Sequence, residues 1–500
     1  MLYFFAAFPV LLVLILMIAF RWSGQRAGPA GWVAAVAVGA LAFGLTPQVW
    51  WVSQLKGLLL SLYVSLVLWP ALLLYYIIDR IGGIRAIAGW LAELVGETGL
   101  LQILLAWAFS AVQEGMAGFG LPIAVTAPML VGLGVSPLRA VAAVAAGHAW
   151  VITFGGMGLI FQTLVAVSGV PGAELAAPAA LMLGAGCLLS GLCAALILGQ
   201  GRFWRQVLAI SIVMAGAQYG LAVSGLPALA GLGASLAGLV AGILLGRGRN
   251  TRPVSRPTQG LIGALAAYGG IIVFMTAFSL PGVLHSAVEP LAWKASFEQV
   301  TTATGFVTPP GSGPVFRWFL HPGFPLSLTA VVSYLVFRRM GLLPKNNGKS
   351  ILTAVWHSAA PATVGVIAMV GVAMLMEHCG MSLLLAQGLS AALGAVYPLA
   401  APFVGMLGAF ATGSNNNSNV LFAVLQKNVA ILLGMPPRWM LAAQTAGAAL
   451  GGMVAPAKLI VGCSTVGLKG KDGLALRITL PYGLAAELLL GVLAWLILSL

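Results

Sequence analysis

Long apolar runs separated by short polar knots set the pattern of this chain. Leu2–Phe20 opens it, with Arg21 and Arg26 behind it. Gly57–Ile78 is the next clear run, bracketed by Lys56 and Asp79, and others lie near 206–222, 226–245, 260–282 and 322–337. A membrane-crossing helix needs about 20 apolar residues rising about 1.5 Å each, and the runs are close to that length. The first run has basic residues after it rather than before it, the reverse of a cleaved leader, so it reads as a retained transmembrane helix. Two stretches interrupt the pattern in apolar surroundings: Gln113–Pro122, which reads QEGMAGFGLP, and Thr412–Asn419, which reads TGSNNNSN. Rows of Gly, Ser and Asn do not make a comfortable membrane helix, because backbone polar groups left unpaired in hydrocarbon are costly. Such backbone persists only when buried in protein or lining a watery cavity, as where the helices of secondary transporters break near the midplane.

Lys and Arg favour the cytoplasmic side. The clusters Arg21/Arg26, Arg80/Arg85, Arg202/Arg205, Arg247/Arg249/Arg252/Arg256, Arg338/Arg339/Lys345/Lys349 and Lys469/Lys471/Arg477 form a cytoplasmic set with the parity the runs require. They leave 283–320 as the largest external piece, Pro-rich and able to re-enter in part. A constant offset of 300 then exposes a repeat. It carries Leu133-Gly134 onto Leu433-Gly434, Pro137 onto Pro437, Ala142-Ala143 onto Ala442-Ala443, Ala146-Gly147 onto Ala446-Gly447, and Leu196-Ile197-Leu198 onto Leu496-Ile497-Leu498. The first unit enters the membrane at Gly57 from outside and the second near Ile351 from inside, so the two are inverted. Inverted repeats place substrate at their interface.

Composition narrows the class. The chain is 60% hydrophobic and 7% charged, against about 25% charged in soluble domains, which excludes an ordinary soluble enzyme. The formal net charge of +14 sits in short loops between apolar runs, which argues against nucleic acid. Cys187, Cys193, Cys379 and Cys463 lie in apolar context without metal-ligand spacing and read as small core residues. No phosphate-loop, H-E-x-x-H or G-x-S-x-G sequence is present, which disfavours ATP-driven transport and intramembrane hydrolysis.

Glu114 is the only acid between Glu97 and Glu174. An intramembrane carboxylate is expensive as an anion and is a functional candidate by default; it suits a group that takes up and releases a proton, and otherwise would pair with Arg139 or cap a half-helix. Gly115, Gly118 and Gly120 permit close backbone approach, and Pro122 suits the first turn of a helix whose N–H groups would attract an anion. Close packing through small residues explains the same glycines. Ser414, Asn415, Asn416, Asn417, Ser418 and Asn419 supply neutral donors and acceptors for a carboxylate or hydroxyl, or form a solvated turn. His148 is either a second proton group or an imidazole held by a carbonyl. Arg317, in the external piece, either meets an incoming anion or is a plain interfacial arginine.

Glu114-Gly115, Ala117-Gly118-Phe119-Gly120 and Pro122 resemble the E-G-x-A-G-F-G-x-P signature of the L-lactate permease family. Phe154-Gly155 and Met157-Gly158 resemble its F-G-x-M-G segment. Thr412-Gly413-Ser414, Ser418-Asn419, Leu421-Phe422-Ala423 and Leu425-Gln426 resemble T-G-S-D-x-x-S-N-x-L-F-A-x-L-Q, and Val466-Gly467-Leu468 with Gly470-Lys471 resembles V-G-L-x-G-K. The resemblance implies proton-coupled symport of lactate and related short 2-hydroxy monocarboxylates, glycolate among them, across the plasma membrane. Two positions depart from the pattern: Asn415 replaces an Asp, and His148 stands where Asn is expected.

The expected fold is an all-α polytopic membrane protein of inverted-topology repeats, with broken helices and re-entrant segments at the midplane. Residues 1–56 form N-terminal transmembrane helices, 57–200 repeat one, 201–350 connecting helices and the external segment, and 351–500 repeat two. The expected substrate-binding residues are Gly115, Gly118, Phe119, Gly120, Thr412, Ser414, Asn415, Ser418 and Asn419, with Glu114 and His148 for proton coupling. Neither a cofactor, a metal nor a nucleic acid is expected, and the bilayer is the structural partner. A sodium-coupled carrier of another small organic anion and, in a different class, a membrane-embedded enzyme are the alternatives.

Overall fold

A computed structural model describes residues 1–116, 121–246, 256–344 and 347–499. Helices α1 (Leu2–Ile18) and α2 (Gly24–Ala42) precede the first repeat. That repeat opens with α3 (Pro47–Arg80), ten residues longer at its start than the apolar run Gly57–Ile78. Pro47 opens the helix, and Thr46 caps it by accepting from Val49 N–H at 3.3 Å. Next come α4 (Gly83–Leu94), α5 (Thr98–Leu104) running through a π turn at Leu105–Phe109 into α6 (Ser110–Met116), α7 (Leu121–Gly132), α8 (Pro137–Gly147), α9 (Gly155–Ser168) and α10 (Gly172–Ile197). The connection comprises α11 (Trp204–Val223), α12 (Pro227–Gly246), α13 (Gln259–Ser279), the short α14 (Val283–Val288), a β ribbon and α15 (Gly323–Arg339). Repeat two holds α16 (Asn347–His378), α17 (Met381–Leu393), α18 (Tyr397–Thr412), α19 (Asn415–Leu432), α20 (Pro437–Gly451), α21 (Pro456–Thr465) and α22 (Asp472–Ser499).

The offset seen in the sequence reappears as punctuation. Pro137 and Pro437 open α8 and α20, and left-handed Gly134 (φ +84°) and Gly434 (φ +69°) close the helices before them. In both halves a long helix and a short one precede a helical hairpin, a broken span and a closing span. The hairpins are antiparallel. Gln113 Nε2 donates to Thr126 Oγ1 at 2.9 Å across the first. Ser418 Oγ donates to Gly405 O at 2.7 Å, and Gln426 Nε2 to Ala401 O at 3.1 Å, across the second.

Contacts between the halves come in reciprocal pairs. Helix α8 packs on α22 and α20 on α10; α9 packs on α19 and α21 on α7; α3 packs on α16. A two-fold relation requires such reciprocity. Arg80 ends and Arg85 follows the opening helix α3 of the first repeat, whereas Arg338 and Arg339 precede the opening helix α16 of the second. The second repeat therefore enters from the opposite side. Among the described residues, nine helices are long and apolar enough to cross a membrane, ten if the bent α8–α9 pair counts as one span. Their large apolar side chains point outward as well as inward, as lipid-facing helices require.

The fold departs from the expected all-α picture at one place. In the 283–320 segment, α14 is followed by an antiparallel ribbon. Its strands β1 (Ala292–Trp293), β2 (Ser296–Phe297) and β3 (Val300–Thr301) pair with β6 (Phe316–Arg317), β5 (Gly311–Ser312) and β4 (Val307–Thr308) respectively. Ala303 N–H donates to Gly44 O at 2.7 Å and pins the ribbon to the α2–α3 loop.

Candidate functional site

The two polar interruptions meet. Helix α18 ends at left-handed Gly413 (φ +68°), and Ser414 caps α19, its Oγ accepting from Asn417 N–H at 3.4 Å. Thr412 braces the turn by donating to Gly408 O at 2.7 Å. The first amide groups of α19 have no intrahelical acceptor, so this end carries partial positive charge. It borders a cavity of about 280 Å³ that Glu114 of α6, Gly155 and Gly156 of α9, Thr412–Asn417 and Lys458 of α21 also line. Val64 and Leu68 of α3 and Gly365 of α16 form another wall, and the exposed residues Ser23 and Gln25 mark its mouth.

Glu114 is 3% exposed, and one of its carboxylate oxygens is sealed from solvent without a hydrogen-bond partner among the described residues. Gly155 has to be glycine beside it, because a Cβ there would stand 3.0 Å from Glu114 O and 3.3 Å from its Cγ. Arg139, considered as its ion-pair partner, lies instead beside Gly199. The cation that faces Glu114 is Lys458. The charges of the two residues act on each other, yet they form no direct ion pair. Lys458 Nζ has no hydrogen-bond partner among the described residues, and the side chain is 8% exposed. A buried acid and a buried base, held apart across a cavity, leave room for a third charged group.

The expected site residues divide. Glu114, Thr412, Ser414 and Asn415 line the cavity. Gly115 does not; it packs on the backbone of Leu232, 3.2 Å from where its Cβ would be. Gly118, Phe119 and Gly120 lie outside the described residues. Ser418 and Asn419 face away from the cavity. Ser418 Oγ accepts from Gln444 Nε2 at 3.1 Å while donating to Gly405 O, and Asn419 Nδ2 donates to Thr445 Oγ1 at 2.9 Å. The Ser418 hydroxyl and the Asn419 amide nitrogen hold α18, α19 and α20 together. His148 is fully buried outside the cavity lining, its Nδ1 2.5 Å from Val144 O and its Nε2 unpartnered, but within range of the Lys458 charge.

Lys458 escaped the sequence reading, although a lone lysine between Met453 and Cys463 in an apolar stretch is itself a signal. Thr153 escaped it too. Its hydroxyl accepts from Asn415 Nδ2 at 3.1 Å and lies 2.9 Å from Thr445 Oγ1, so one polar chain runs from the cavity across both repeats. Next to it, Gly156, Met157 and Gly158 take left-handed φ of 51°, 56° and 70° in succession. Met157 is a strained position for a residue with a side chain, and the run kinks the start of α9, which lies at 53° to the part of the span ending at Val151.

Known proteins are similar to this chain over most of its length. An L-lactate permease from Streptococcus iniae is 27% identical over 447 residues, covering 87% of this chain and 92% of that one. The glycolate permease GlcA of Escherichia coli is 23% identical over 534 residues, covering 97% and 94%. Among solved structures, MtrF of Neisseria gonorrhoeae, an antimetabolite efflux pump, aligns with a TM-score of 0.47 at 15% identity over 86% of this chain and 80% of that one. The apolar spans and the lactate and glycolate permease relatives together make it a multi-pass protein of the plasma membrane, of permease rather than enzyme kinship. The L-lactate permease family model matches residues 3–247 and 269–500, nearly the whole chain, which therefore belongs to the L-lactate permease family.

Proposed function

We propose that this protein is a proton-coupled symporter of L-lactate and related short 2-hydroxy monocarboxylates such as glycolate, the substrates named in its relatives. One observation carries the proposal: Glu114 and Lys458 line one buried cavity and face each other without pairing directly. In the empty carrier the two charges offset one another. A substrate carboxylate that enters binds the Lys458 ammonium and the free amide groups at the start of α19, with Asn416 and Asn417 beside it. Glu114 then loses its counter-charge in a low-dielectric site, where an uncompensated carboxylate is costly, and takes a proton. Empty and loaded sites are both neutral, so anion and proton travel together. The halves 57–200 and 351–500, with the helix starts at Pro47 and Asn347, supply the two sides that move.

The test is Glu114→Gln in liposomes, with labelled L-lactate and with proton and sodium gradients imposed separately. The mutant mimics the protonated acid. It should exchange substrate across the membrane and fail to accumulate it under a pH gradient. Accumulation driven by protons in the mutant would move the proton to another residue. A sodium-coupled cycle is the alternative, favoured by the unpartnered buried amide oxygens of Asn415, Asn416 and Asn419, which are neutral ligands suited to a hard cation. Uptake that follows sodium and ignores pH in the wild type would establish it.

A further inference from the structure

A second cavity, of about 220 Å³, lies behind the first. The two share their walls: on α3, Val64 faces the inner cavity and Tyr63 the second one; on α9, Ile160 faces the inner and Gln162 the second. The inner cavity opens at Ser23–Gln25, the side of Arg21 and Arg26. The second lies toward the β ribbon, the side the charge pattern makes external. We propose that it is an outer anion site, which holds a short monocarboxylate before it reaches Lys458. This rests on the monocarboxylate reading above.

Its lining favours an anion from several directions. The first turn of the 20-residue helix α12, Pro227–Leu229, borders it and brings the positive end of a helix. Arg317 borders it and makes no side-chain hydrogen bond or ion pair among the described residues. Strand β6 places it opposite Ala292 of β1, and Phe316 beside it is clamped between Trp293 and Tyr63, each ring 5.5 Å away. His321, 4% exposed, also borders the cavity. Its Nδ1 accepts from Gly323 N–H at 3.2 Å, which leaves the proton on Nε2. That nitrogen is buried without a partner at bonding geometry, the Tyr63 main chain being near. Burial holds this imidazole neutral, its pKa down at about 4, so it serves as a donor and not as a charge. His285 and Ser279 complete the polar lining; Glu289, 3.8 Å from His285 Nε2, is the acid beside it and is half exposed.

The experiment is equilibrium binding of labelled L-lactate to the purified full-length protein in detergent. Two sites per chain are expected in the wild type, one in Arg317→Gln and one in Lys458→Gln. In liposomes Arg317→Gln should raise the KM for uptake about tenfold, the loss of one charged hydrogen bond, with the maximal rate unchanged. One site in the wild type that survives Arg317→Gln overturns the outer site and leaves the role of Lys458 standing. Two sites that survive Lys458→Gln, with one lost in Arg317→Gln, do the reverse. Should Arg317→Gln bind nothing, Arg317→Lys decides: two sites retained support the proposal, and none retained sinks it.

Discussion

The two broken spans have nearly the same architecture and opposite chemistry. In repeat one the span kinks through three left-handed residues, Gly156 to Gly158, and carries no charge at the break. In repeat two the break at Ala455 has an ordinary φ of −67°, Pro456 starts the next helix, and Lys458 follows. At the offset of 300, Gly158 is the counterpart of Lys458. The hairpins differ in the opposite sense: the first brings Glu114 to its tip, and the second brings only Thr, Gly, Ser and Asn. One acid from one half therefore meets one base from the other, and the symmetry-related place has neither. A two-fold fold supplies two equivalent frameworks, and side chains make a single site of them. Two acid–base pairs would have made two sites sharing one cavity.

The strongest test of this asymmetry is Lys458→Gln. Losing a charged hydrogen bond of about 1.5–3 kcal/mol should weaken lactate binding about 10- to 150-fold, measured as binding to the purified protein. Restoring the charge on the other side, with Gly158→Lys in the same chain, should not rescue it. Position 158 has φ +70°, and a Cβ there would lie 3.0 Å from Ala228 Cα. Rescue would mean that the two breaks are interchangeable.

Backbone strain separates the breaks by a smaller amount. Gly158→Ala places a side chain in the left-handed region, at about 1–2 kcal/mol, and against α12 as well. Thermal unfolding in detergent should show a lower Tm. Ala455→Gly in the other break should change stability by less than about 1 kcal/mol. Equal losses would remove the distinction. The smallest effect belongs to His148→Gln. The imidazole lies outside the cavity lining and loses mainly its bond to Val144 O, about 1 kcal/mol. Uptake should fall by less than about fivefold, and accumulation under a pH gradient should persist. Loss of pH-driven accumulation there would transfer the proton from Glu114 to His148.

Much of the frame was legible because glycine and proline mark helix ends by backbone geometry alone. Gly134, Pro137, Gly434 and Pro437 stand at the same turns in sequence and structure. Gly413 and Ser414 mark the second hairpin tip for the same reason. Other features had no such mark. An arm of a hairpin and a full span have the same composition, so the antiparallel return of α18 and α19 shows only in Gly405 and Ala401 accepting from the opposite arm. Asn419 carries the same amide as Asn416, and only the position of α20 shows that its nitrogen, like the Ser418 hydroxyl, is already bonded there. The ribbon stayed hidden because each of its strands is two residues long, too short for alternation to register.

Lys427 gives the second hairpin a mechanical property. Its Nζ donates to Ser168 O at 2.7 Å, at the last turn of α9, so the far part of α19 is moored to the other repeat. The twelve helical steps from Asn415 to Lys427 make a lever of about 18 Å at about 1.5 Å per step. A swing of about 10° about that mooring carries the tip through about 3 Å, roughly the length of one hydrogen bond. Such a swing would leave the Lys427–Ser168 pivot bonded while the tip changed its contacts.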